Sequence, residues 1–144
     1  MHVEFKFDTS AIQNQFRKLQ SVGKSDGLTR KIANVLWEEA EEAFDKEKSP
    51  EGTKWAELDE SYKKQRHSKG YTGPILQVSG DLVKSLNIDY GDNFAVIGAA
   101  EPYGQYHQMG TSKMPARPFI GLGETGLEEI KQIIAKQMKE VFES

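Results

Sequence analysis

Val3, Phe5 and Phe7 alternate with His2, Glu4 and Lys6, a period of two that predicts a strand with one apolar face, destined for a sheet. Asp8, Thr9 and Ser10 supply N-cap chemistry for a short helix striped by Ile12, Phe16 and Leu19, with Gly23 and Gly27 around its end. From about Asp26 to about Glu47 the period changes to three and four residues through Leu28, Ile32, Val35, Leu36, Ala40, Ala43 and Phe44. This segment reads as a long amphipathic helix.

Ser49-Pro50-Glu51-Gly52 ends that helix, because proline lacks an amide donor and glycine accepts turn dihedrals. Trp55 and Leu58 fall in the loop, and Asp59 caps a short helical stretch through Tyr62. This stretch leads into a basic loop with Lys63, Lys64, Arg66, His67 and Lys69. Ile75 and Leu76 form a small apolar anchor, and Ser79-Gly80-Asp81 opens a helical turn through Leu82 and Val83, with Ser79 as its cap.

Leu86, Ile88 and Tyr90 alternate, Gly91-Asp92-Asn93 is turn chemistry, and Phe94 to Ile97 is a second apolar run ending at Gly98. Together they predict a β-hairpin. Tyr103, Tyr106 and Met109 are expected along one side of a helical turn. A loop with Gly110, Pro115 and Pro118 follows, and a last helix opens at Glu124 or Thr125 on Leu127, Ile130, Ile133, Ile134, Met138 and Val141. Strands and helices do not alternate as βαβ units. The expected class is therefore α+β: one domain over residues 1–144, an antiparallel sheet with a hairpin, two long amphipathic helices and long ordered loops.

The chain has 144 residues and a net charge of -3, so no global positive field draws it onto nucleic acid or lipid. It contains no cysteine, which removes disulfides and thiolate chemistry. The N-terminus lacks the pattern of a secretory leader, no apolar run is long enough to span a bilayer, and no membrane partner is expected.

His2, His67 and His107 are far apart and lack metal-ligand spacing, so no metal is expected. His107 has no paired acid or nucleophile placed beside it by the sequence, and Ser79 lacks the glycine elbow of a serine hydrolase. Gly121, Gly123 and Gly126 come without a phosphate-loop lysine and are read as turning the chain into the last helix. The expectation is a non-enzymatic protein with no cofactor. Two features point outward: the cations Lys63, Lys64, Arg66 and Lys69, as DNA contacts, and the proline-stiffened Met114-Pro115-Ala116-Arg117-Pro118-Phe119 segment, as an interface.

Ser49 to Leu58, Ile75-Leu76 with Ser79-Gly80-Asp81-Leu82 and Ser85-Leu86, Val96-Ile97-Gly98, Tyr103, His107 to Thr111 and Met114 to Leu122 follow in an order and spacing that resembles the phage virion morphogenesis family. That family includes tail completion and head-tail joining proteins of contractile-tailed phages. The resemblance implies a structural virion protein of the neck or tail end, present in the host cytoplasm during assembly. It implies self-association into a ring, often hexameric, contact with neck, connector or tail proteins, and passage of DNA through the ring. On this reading Trp55, Leu58, Tyr103, His107, Gln108, Arg117 and Phe119 are the interface candidates. The alternative is a DNA-contacting assembly factor using the basic loop Lys63 to Lys69.

Overall fold

The computed structural model describes residues 3–6, 14, 17, 18, 21, 23, 25–70, 81–92, 94–101 and 104–142. Among these residues the elements run β1 (Val3–Lys6), α1 (Ser25–Lys46), α2 (Glu60–Ser68), α3 (Asp81–Lys84), β2 (Leu86–Tyr90), β3 (Ala95–Ala99), α4 (Gly104–Met109) and α5 (Glu124–Phe142). Asn14, Arg17, Lys18 and Ser21 are helical. The apolar stripe expected on Ile12, Phe16 and Leu19 lies outside the described residues, as do Phe7, the Ile75-Leu76 anchor, the Ser79 cap and Tyr103.

The sheet is antiparallel in the order β1-β3-β2. Ile97 of β3 pairs with Phe5 on one side and Ile88 on the other, and Ala99 pairs with Leu86. Directly paired residues point to the same face, so these rows form the inner surface. Lys6, Val96 and Asp89 form a row on the opposite face, and Glu4, Gly98 and Asn87 form the next. The expected hairpin is therefore present, and the N-terminal strand joins its far side.

Helix α1 contacts both β2 and β3 and also α5. A helix held between a sheet and a second helix needs a wide apolar stripe. Leu28, Ile32, Ala33, Val35, Leu36, Ala40, Ala43 and Phe44 supply it, all buried. Thr29, also fully buried, donates its hydroxyl to the Gly91 carbonyl at 2.5 Å and so ties the hairpin turn to the start of α1. Gly27 lies inside α1 and not at a break before it. In α5, Ile130 and Ile134 are buried and Ile133 and Met138 pack against the core, but Leu127 remains 37% exposed and leaves the predicted stripe.

The glycines expected to turn the chain into α5 serve close approach instead, and Gly126 lies inside the helix. The Gly123 Cα faces the Pro50 carbonyl oxygen so tightly that no Cβ fits, whereas Gly121 and Gly126 lie beneath the movable carboxylates of Glu51 and Glu39. Glu39 accepts hydrogen bonds from the backbone of Gly123 and Gly126 at the start of α5. Burial raises its pKa against that help, and Glu42 and Glu129 raise it further.

Phe44→Ala should cost about 3–5 kcal/mol by urea unfolding, against under about 1 kcal/mol for Leu127→Ala at its wetter site. Gly123→Ala should destabilise by about 1–3 kcal/mol, because both clashing groups are backbone. Gly27→Ala, with nothing near its added methyl, should be neutral or gain up to about 1 kcal/mol.

Candidate functional site

The loop after α1 turns back at once. Glu47 takes a positive φ of 55° and Gly52 one of 102°. The Ser49 amide donates to the Thr53 carbonyl at 2.8 Å, and the Ser49 hydroxyl accepts from the Thr53 amide at 3.0 Å. The Trp55 amide then bonds the Glu47 carbonyl at 2.8 Å, which delivers the indole to the core. Trp55 is 3% exposed and meets Phe44 edge-on, with ring centroids 5.9 Å apart. Phe119 packs on Phe44 from another side at 5.1 Å and is completely buried. Phe44 thus joins two loops about 60 residues apart in sequence.

Polar groups lock the same two loops. The Trp55 indole N–H donates to the Pro118 carbonyl at 2.7 Å. Arg117 sends Nε to the Ala56 carbonyl at 2.9 Å and a terminal nitrogen to the Glu57 carbonyl at 3.1 Å, while its own amide donates to the His107 carbonyl at 2.6 Å. Gln108 works as an inserted backbone. Its Oε1 accepts from the amides of Phe119 and Ile120 at 2.9 and 3.0 Å, and its Nε2 donates to the Ile120 carbonyl at 2.8 Å.

These placements assign most of the expected interface side chains to building the surface. Trp55, Arg117 and Phe119 are buried within the chain, and His107 and Gln108 are half-buried along α4. Tyr106 and Met109, expected along one side of a helical turn, lie on α4 and point outward at 50% and 78% exposure. The reason is that Gly104, without a side chain, sits against Leu82, Ala99 and Phe119 and sets the helix rotation. Gln108 as a backbone mimic was not readable from its neighbours. The only hint was a long amide beside the glycine and prolines of a loop whose amides needed partners.

The segment read as a basic loop is helix α2, which continues past Tyr62 to Ser68. Arg66 is 6% exposed and is turned away from Lys63 and Lys64, which remain exposed with His67 and Lys69. Asp59 precedes the helix and accepts the Ser61 hydroxyl at 2.5 Å, which holds its carboxyl below the usual range.

Between α2 and the Lys113–Pro115 turn lies a cleft of about 470 Å³. Leu58, Tyr62, Met114 and Pro115 give it apolar walls, Glu57, Asp59 and Lys113 add charges, and His107 and Arg117 complete the lining. Burial lowers the His107 pKa, and the nearby Arg117 cation lowers it further. No helix of the described residues is long and apolar enough to cross a membrane.

Because folding depresses the His107 pKa, the stability it contributes is present above the unfolded value near 6.5 and is lost as pH falls below it. Melting temperature should therefore drop on acidification through that range, and His107→Gln should flatten the drop.

The family model described as the phage virion morphogenesis family matches residues 7–139. The chain is 55% identical over 143 residues to Mu-like prophage FluMu G protein 1 of Haemophilus influenzae, covering 98% of each chain. It is 33% identical over 141 residues to the putative capsid assembly protein G of Escherichia phage Mu, covering 91% of this chain and 90% of that one. No solved structure gives a significant match. The chain therefore belongs to the phage virion morphogenesis family.

Proposed function

We propose that this structural protein of virion assembly acts in tail completion and head-tail joining, as a ring-forming adaptor at the neck or tail end. The observation that carries the reading is the pinned double loop. Side chains that would otherwise be available for chemistry are spent on fixing backbone: Trp55 on Pro118, Gln108 on Phe119 and Ile120, and Arg117 on Ala56 and Glu57. A surface fixed in this way loses little conformational entropy when a partner docks. Next to it lie the exposed Tyr62 and the apolar rim of the cleft, the kind of anchor that interfaces use.

The relative described as a putative capsid assembly protein supports the broader part of this reading, a role in virion assembly. A closed ring takes heterologous contacts, in which one surface of each copy meets a different surface of the next. The other virion partners on this reading are neck, connector or tail proteins. The DNA-contacting alternative is weakened by the burial of Arg66, which leaves Lys63, Lys64 and Lys69 as its lysine contacts.

Light scattering on the purified chain over a concentration series should give a defined multiple of 16.2 kDa, near six copies for a hexamer. A monomer at every concentration, even with purified tails added, would sink the reading. Arg117→Ala frees both loops and should reduce assembly while the helical circular dichroism stays close to that of the parent chain, since the core around Ile32, Leu36 and Ile97 is untouched.

A further inference from the structure

Helix α2 carries two sets of charges on two sides. Glu60, Lys63, Lys64 and His67 recur at i, i+3, i+4 and i+7, which places them on one face, and all four are exposed. Asp59, Tyr62 and Arg66 recur at i, i+3 and i+7 on another face. Arg66 is buried there, while Asp59 and Tyr62 line the cleft. The cleft wall at the start of α2 is acidic through Glu57 and Asp59, while Lys63, one turn on from Asp59, flanks it and Lys64 and His67 lie further round the helix.

On the acidic wall Asp59 accepts the Ser61 hydroxyl, whereas Glu57 is only loosely engaged within the chain. Glu57 has a side chain 74% exposed and reaches Lys54, itself 73% exposed, at 4.0 Å. The guanidinium of Arg117 is turned onto the carbonyls of Ala56 and Glu57. On the opposite wall Lys113 is exposed. A ligand matched to this cleft carries two cations for one wall, an anion for the other, and enough apolar stem to lie between Tyr62 and Met114. Lysine stems provide that apolar length.

We infer that the ligand is the outer face of α2 in a second copy of this chain, docked head to tail. Lys63 and Lys64 of one copy meet Glu57 and Asp59 of the next, and Glu60 meets Lys113. Each copy gives Lys63 and Lys64 to one neighbour and takes another copy's lysines on Glu57 and Asp59, so the contact is heterologous and repeats from copy to copy. This rests on the proposed self-assembly and names the surfaces that make it. It also gives the cationic stretch of the sequence a role that does not involve nucleic acid.

Charge swapping tests the contact. Lys63→Glu with Lys64→Glu makes one variant, and Glu57→Lys with Asp59→Lys makes the other. Each should raise the concentration for half-assembly more than about tenfold, since like charges then face each other. An equimolar mixture of the two variants should assemble again, with the copies alternating, and the fourfold variant should assemble alone. Wild-type assembly should weaken as salt rises.

Circular dichroism and thermal melting confirm that each variant is folded. Glu57→Lys alone, at an exposed position, serves if the Asp59 change unsettles α2. If the wild type assembles and folded variants assemble equally well, or if the mixture fails to recover, this contact is wrong while the ring reading stands. A wild type that stays monomeric with purified tails present overturns both.

Discussion

The position of Phe44 governs much of what surrounds it. It is the last large apolar residue of α1, and Trp55 and Phe119 both rest on its ring. An edge-on contact and a tilted contact use different parts of one ring, so the two loops dock side by side without competing for space. With the indole seated, its N–H has one place to go, the Pro118 carbonyl. That bond in turn sets the path of the proline-rich segment. The close approach of Pro50 to Gly123 brings the first loop against the start of α5 as well. Packing at one aromatic residue thus propagates into hydrogen bonds, and those bonds define the outer surface.

Electrostatics enters at a second level. Glu39 sits where α1 meets the N-terminus of α5, and the backbone groups there favour its charge while burial and two other acids oppose it. Around α2 the exposed lysines and the acids of the cleft wall form separate sets. A helix with acids first and bases last satisfies its own dipole. The acids Glu57 and Asp59 just before α2 and the exposed Lys63 and Lys64 on it give the assembly two different sets of charges.

The parts of the fold legible in the sequence were those with strong periodicity. The Leu28 to Phe44 stripe is buried as its spacing picked out, and Ile130 and Ile134 are buried with Ile133 and Met138 packed against the core, while the Leu86 to Gly98 hairpin buries Leu86 and Ile97 but leaves Tyr90 exposed. Weak or short signals failed where tertiary contacts decided the outcome. The spacing of Tyr106 and Met109 indicated a shared helical side but not its direction, which Gly104 set by fixing the rotation of α4 and turning that side out. Leu127 fitted the period of α5 yet sits at the wetter edge of its face. The surface was legible as a set of residues but not as a set of roles. Trp55, Arg117 and Phe119 stood out by type, and only the folded chain shows that they hold the loops from within. Gln108 and Gly123 act through backbone geometry, which no pattern of hydrophobicity encodes.

The bonds that frame the loops end on backbone atoms: the carbonyls of Ala56, Glu57, Pro118 and Ile120 and the amides of Phe119 and Ile120. Main-chain groups are present whatever side chain a position carries. The outward-facing side chains of this frame, such as Ala56 and Glu57, can therefore be exchanged without disturbing the geometry beneath them. A lineage of such proteins can change partners by rewriting those positions while the scaffold that presents them stays the same.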